Sequence, residues 1–244
     1  MVTLTRFACG LAVAASLASG SAIKPRLAHD KVQPFPETVP DDLTGKLYKR
    51  FKPWLHIIHG CVPFPAVDAQ GNTNDGLDIC DGDETNECDG STGQVYSRSA
   101  EKDGMFAIMY TWYFPKDVPS VCAVGGHRHD WENVVLWFSE KSESAKYLGI
   151  SISAHGGYKK YAQGSDEVKW DGDRALIGYT NEWPLNHHLA TTKDKPSGDV
   201  PLIAWESLPK AAWDALQAKD WDKADLSFSD KNFDKLLGDS KMDK

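Results

Sequence analysis

Ten consecutive residues, MFAIMYTWYF from Met105 to Phe114, carry no charge and include five aromatic rings. A surface helix cannot shelter rings on every side, so the run reads as a strand. Further strand patterns are expected at residues 54–58, 133–138, 147–154, 175–179 and 202–205, separated by Gly, Pro and charged turns. Asp41 or Asp42 caps an expected helix through Leu43, Leu47, Tyr48 and Phe51, which Pro53 ends. A second helical spacing covers residues 210–217, with Pro209 at its start. Residues 23–40 are Pro-rich and polar, an extended lead-in. No repeat or linker divides the 244 residues, enough for one sizeable domain or at most two small ones. The expected fold class is mainly β: a single β-sandwich domain over residues 23–244 with a few peripheral helices. Periodicity leaves a closed barrel open as the alternative.

A formal charge of −8 argues against a nucleic-acid partner and against membrane binding through a basic patch. Membrane contact would require specific recognition or a bridging cation. At the N-terminus, Arg6 precedes an apolar stretch over residues 7–18 and the small residues Ser19-Gly20-Ser21-Ala22. This pattern predicts a secretory signal over residues 1–22. It falls short of the ~20 apolar residues that a membrane span needs. The mature chain is expected to be secreted, extracellular and soluble. Cys9 leaves with the signal. Cys61, Cys80, Cys88 and Cys122 remain, and two disulfides are the natural reading in an oxidising compartment. Spacing does not choose among the three pairings. A zinc site is the weaker alternative, because no CxxC pair occurs.

A Gly-, Asn- and Asp-rich loop between Asp68 and Asp89 carries seven acids from Asp75 onward and no base. The densest chemistry follows Gly125-Gly126: His127, Arg128, His129, Asp130, Trp131 and Glu132. In a strict strand His127 and His129 share one face and Asp130 and Glu132 take the other. Convergence of His127, Asp130 and Glu132 is therefore expected to need a curled loop, permitted by the preceding glycines, that enters the strand at 133–138. A hairpin return would bring Asp117 beside His127. One imidazole with three carboxylates makes a hard, oxygen-rich site suited to Mg²⁺, Ca²⁺ or Mn²⁺ rather than Zn²⁺. Two alternatives stand beside it. One is a solvated turn in which Arg128 pairs with Asp130 or Glu132. The other is a His127/His129 acid–base pair, for which GxSxG and HExxH are both missing.

The heptapeptide GHRHDWE (Gly126 to Glu132) resembles the hallmark of the necrosis- and ethylene-inducing peptide 1-like proteins, secreted by plant-associated fungi, oomycetes and bacteria. HGCVPFPAVDAQGN (His59 to Asn72), AIMYTWYFPKD (Ala107 to Asp117) and PLIAWESLP (Pro201 to Pro209) extend the resemblance over most of the mature chain. It implies a β-sandwich like that of the actinoporin cytolysins, and a divalent cation, Mg²⁺ or Ca²⁺, held by Asp117, His127, Asp130 and Glu132. Gly126, Arg128, His129 and Trp131 complete the motif, with His129 needed for toxicity through the shape of the pocket. The implied activity is not enzymatic: a cytolysin and virulence factor that binds glycosylinositol phosphorylceramide headgroups of plant plasma membranes, permeabilises them and causes necrosis. The stretch from Ala107 to Arg128 resembles a pattern that plant immune receptors detect. A non-cytotoxic lectin-like binder or immune elicitor is the alternative, and a metal-dependent hydrolase ranks last.

Trp183-Pro184-Leu185-Asn186-His187 looks like the family's second headgroup loop, with Trp183 on a sugar and His187 at the surface; a Pro-bounded turn with Trp183 in the core is the alternative. Asn186 stands where an acid is expected, and an amide is a weaker cation ligand. The acidic DGLDICDGDETNECDG (Asp75 to Gly90), a second bridge from Cys80 to Cys122 beside Cys61–Cys88, and a lengthened segment from Asp117 to His127 are similar to the type 2 subgroup. That likeness implies a second calcium site, with Asp78, Asp81, Asp83 and Glu84 as candidate ligands; a merely solvated acidic loop is the alternative.

Overall fold

The computed structural model describes residues 26–182, 184–196 and 198–242. The expected signal over residues 1–22 and Trp183 lie outside them. Along the chain run β1 (Arg26–Leu27), α1 (Leu43–Phe51), β2 (Trp54–Ile57), β3 (Thr73–Asn74), β4 (Val95–Lys102), β5 (Met105–Asp117), β6 (His127–Phe138) and β7 (Tyr147–Ala154). There follow β8 (Gly157–Ala162), β9 (Trp170–Asp171), β10 (Arg174–Asn181), β11 (His187–Thr191), β12 (Leu202–Ala204), α2 (Lys210–Ala218) and α3 (Phe233–Ser240). Six strands form one sheet in the order β12-β4-β5-β6-β7-β8. The second sheet is β11-β10-β2, with β9 also on β10, and a short parallel pair joins β1 to β3. Neither large sheet closes on itself, which decides for a sandwich over a barrel.

Every residue of β5 is buried, because both faces of its sheet are covered. On one face Phe114 stacks on Tyr179 of β10, with ring centroids 3.8 Å apart. On the other, the segment after α2 lays Trp221 against Tyr113 and Trp131, and Phe228 against Tyr96. The Ser227 hydroxyl donates to Thr111 on β5. Arg98 on β4 reaches the same segment, its guanidinium over Phe233 and its Nη1 donating to the Phe228 carbonyl. The chain's C-terminal part is thus a third layer, and fully burying each large apolar side chain between layers contributes ~1.5–3 kcal/mol.

α1 begins where expected: the Asp42 carboxylate accepts from the Gly45 N–H at 3.1 Å. β6 begins six residues earlier than expected, so the whole HRHDWE motif is strand. β4, β8, β11 and α3 have no counterpart among the expected elements. β4 (VYSRSAEK) and β8 (GYKKYA) are polar because the last half of one and nearly all of the other lie at an exposed margin. Lysines on an edge strand such as β8 also discourage pairing with other chains.

Candidate cation site

Antiparallel register sets Asp117 opposite His127 and Phe114 opposite Asp130. Strand alternation would still send His127 and Asp130 to opposite faces. His129 removes the conflict, because its φ is 61°, in the left-handed region. A residue there inverts the alternation at a cost on the order of 1–3 kcal/mol. Arg128 and His129 consequently turn to the same side. Arg128 Nη1 donates to the Asp75 carbonyl at 3.0 Å, and His129 Nδ1 lies 2.6 Å from the Tyr113 hydroxyl. Gly76 lets them sit there, since a Cβ at its position would come within 2.7 Å of Arg128 Cγ. The convergence therefore comes from one strained residue inside the strand, not from a loop curled at Gly125-Gly126. Arg128 is directed away from Asp130 and Glu132, which sets aside the local ion-pair reading.

Asp117, His127 and Asp130 each offer a ligand atom, all within 4.8 Å of one another. His127 Nδ1 donates to the His129 carbonyl at 2.7 Å, which leaves Nε2, 3.6 Å from Asp117 Oδ2, as the nitrogen that could ligate a cation. Asp117 Oδ1 accepts both the backbone N–H and the ring Nδ1–H of His187, each at 2.8 Å. Its Oδ2 is buried without a hydrogen bond, and a divalent cation fits that orphaned lone pair. Asp130 accepts from the Tyr179 hydroxyl at 2.9 Å. Glu132 stands one step back, its carboxylate taken by the Ser153 hydroxyl. The Asn186 amide, 3.2 Å from His127 Nε2, closes the outer edge.

Burial, and then the charge of Asp117, raises Asp130 from the ordinary carboxylate range to about 7. Burial, and then Asp130, raises Glu132 well above its usual value. Carboxylates so crowded cannot all ionise without a counter-charge, and a cation supplies it. Binding must expel these protons, so affinity rises with pH. Titration calorimetry with Mg²⁺ should give an affinity roughly tenfold or more weaker at pH 5.5 than at pH 7.5. Equal affinities would refute this protonation account. His129 is held neutral, pushed down to about 3 by burial and then by the charges of Lys219 and Arg128.

His187 departs from expectation. It is not at the surface but only 3% exposed, behind Asp117, because β11 starts there and pairs it with Asn181. Gly60 leaves room for it: at φ 80°, a Cβ would fall 2.6 Å from its Nε2. In the acidic loop, Asp78 accepts from the Cys80 N–H and lies 3.6 Å from Arg128, and Asp83 accepts from Thr85. Glu84 accepts from Asn181, and the Asp81 and Asp83 carbonyls receive the buried Lys116 ammonium. Among the described residues, none of these four acids joins a group of three ligand atoms like that at Asp117. Disulfides Cys61–Cys88 and Cys80–Cys122 brace the loop.

The cluster opens into a cleft of about 440 Å³ whose other walls are Ser153 to Tyr158 and the C-terminal segment around Lys223 and Asp225. Sequence reasoning missed this wall, and it missed Tyr179. Tyr179 stacks on Phe114 and on His187 (ring centroids 5.0 Å apart) while holding Asp130. An apolar strand such as RALIGYTN gives no sign that one of its rings carries a polar duty.

A β-sandwich whose strand ends bring two buried carboxylates and an imidazole within 4.8 Å of one another has the makings of a cation-binding scaffold. Comparison with known proteins narrows it further. The family model "Necrosis inducing protein (NPP1)" matches residues 45–240, and the chain belongs to that family. NLP effector protein 10 of Phytophthora capsici is 40% identical over 218 residues, 88% of this chain and 91% of the relative. Necrosis-inducing protein NPP1 of Phytophthora nicotianae is 40% identical over 219 residues, covering 88% and 90%. NLP effector protein Pc107869 of Phytophthora capsici is 41% identical over 84% of this chain, a match that spans only 59% of that longer protein.

Solved structures agree on the fold. "Toxin fold as basis for microbial attack and plant defense" superposes with a TM-score of 0.82 at 42% identity, covering 89% of this chain and 100% of that one. NLPPya in complex with mannosamine matches at 0.82 and 42%, covering 89% and 99%. The non-toxic HaNLP3 matches at 0.82 and 40%, covering 88% and 100%.

Proposed function

We propose that this protein is a secreted cytolysin that binds glycosylinositol phosphorylceramide headgroups of plant plasma membranes at the cation cluster and permeabilises the bilayer. Necrosis and immune activation follow from that damage. The observation that carries the reading is the Asp117–His127–Asp130 cluster with its unsatisfied buried oxygen, in a family named for inducing necrosis. Asp117, His127, Asp130 and Glu132 would hold Mg²⁺ or Ca²⁺. When bound, the cation supplies a positive centre for sugar or phosphate oxygens, which an acidic chain otherwise repels. NLPPya has been solved with mannosamine and with glucosamine, which supports a sugar headgroup as the ligand. Asn186 stands at the rim to meet it, and His187 acts from behind Asp117. Exposed apolar side chains flank the cluster on both loops: Val121 (51%) and Val124 (100%) before His127, and Leu185 (50%) beside Asn186. They suit contact with the lipid beneath the headgroup. The work is binding and disruption, not turnover.

Vesicles containing plant glycosylinositol phosphorylceramides should leak on addition of the protein with Mg²⁺ or Ca²⁺, and should stop leaking when a chelator is present. Leakage that ignores the chelator would refute the cation's role. The second reading is a non-cytotoxic binder, compatible with a fit to non-toxic HaNLP3 equal to that to NLPPya, both at a TM-score of 0.82. It predicts sugar binding without leakage or leaf necrosis. Either way, β5 is buried along its whole length, so an immune receptor meeting the folded protein would reach the exposed part of this stretch around Val121 and Val124, and Ala107 to Asp117 only after unfolding or cleavage.

A further inference from the structure

We propose that Glu84 of the acidic loop is a positioning residue for the cation cluster, acting through His187. The inference rests on the cation reading above and adds to it a residue that touches none of the cluster's ligand atoms. Asp117 presents Oδ2 to His127 because two N–H groups of His187 hold Oδ1, so its aim is only as firm as the His187 ring. Tyr179 stacks on one face of that ring, at 17° between planes. Glu84 Oε2 faces the far edge, 3.5 Å from Nε2, a buried nitrogen with no hydrogen bond of its own.

Glu84 is itself held. Asn181 Nδ2 donates to Oε2 at 3.1 Å, and His59 Nδ1 lies 3.5 Å from Oε1. The Glu84 side chain is 25% exposed. Beneath it, Lys116, next in sequence to Asp117, draws in the loop by donating to the Asp81 and Asp83 carbonyls at 3.1 and 2.8 Å. The result is a carboxylate–imidazole–carboxylate chain from Glu84 through His187 to Asp117, the arrangement by which outer groups orient metal ligands. The acidic loop thereby forms the back wall of the cation site.

Calorimetric titration of the purified protein with MgCl₂ at pH 7.5 tests this. Glu84→Gln should weaken Mg²⁺ binding by roughly fivefold, below the 10–100-fold that loss of a ligand's own hydrogen-bond partner costs, because Glu84 acts one residue further out. Glu84→Asp, which keeps the charge, should recover part of the loss. Asp81→Asn removes one negative charge from the same loop without touching His187, and should change affinity by less than about twofold, since exposed charges are well screened. In the cation-free protein, the ¹⁵N resonance of His187 Nε2 should move in Glu84→Gln and stay in Asp81→Asn. Equal losses from Glu84→Gln and Asp81→Asn, or an unmoved His187 signal, would overturn the proposal and leave the cation site standing. A wild-type protein that binds neither Mg²⁺ nor Ca²⁺ would overturn both.

Discussion

Asp117→Asn should abolish cation binding while leaving the cation-free protein at least as stable as before. Asparagine keeps an oxygen at Oδ1 for the two His187 donors, so the local hydrogen bonds survive. What disappears is a buried negative charge that already raises its neighbour Asp130. Removing one of several crowded like charges relieves repulsion. It also takes away one of the three carboxylate charges proposed to face an ion, and a direct ligand, a loss larger than the 10–100-fold typical of outer partners, so affinity should fall by more than about 100-fold. The measurement is a pair of thermal melts. At a Mg²⁺ concentration of 100 times Kd, binding stabilises the wild type by about 2.7 kcal/mol, and the variant should show no such shift. Leakage from plant-lipid vesicles should vanish with it. A variant that still responds to Mg²⁺ would remove Asp117 from the ligand set.

Trp131→Ala should unfold the protein readily, although its neighbours Asp130 and Glu132 belong to the site. Trp131 points to the opposite face and is 6% exposed among Tyr96, Tyr113, Trp221 and Phe228, with ring centroids 5.1 to 5.7 Å away. Truncation leaves a cavity where the third layer seats on the sheet, at a cost of about 3–5 kcal/mol. For a domain of this size that lowers Tm by roughly 10 °C. A loss of less than about 2 °C would mean the third layer is not anchored there. The motif thus mixes chemistry with packing: loss of activity at Trp131 reports on the fold, and loss at Asp117 reports on the ion.

Much of this was legible in the residues. The uncharged run of Met105 to Phe114 demanded a strand, and its rings are fully sequestered. GHRHDWE marked the site because crowded carboxylates and imidazoles resist explanation by folding alone. Other parts were not legible. His129 carries no local sign that it adopts a left-handed φ, a conformation imposed by Tyr113, Gly76 and Trp221 from distant parts of the chain. His187 reads as a surface residue in PLNHH, and becomes an internal donor only because β11 docks on β10 beside Asp117.

Local composition and alternation alone therefore determined that this chain forms β-strands, that it is acidic, and that its hard-ligand chemistry clusters at residues 127–132. Burial period and residue type are properties of neighbours in sequence. Only the tertiary structure decided which carboxylate oxygen is left bare, which tyrosine and histidine bond to Asp130 and Asp117, and that the acidic loop lies against them. Those are relations between residues tens of positions apart, and they exist only once the sheets and the C-terminal layer have packed together.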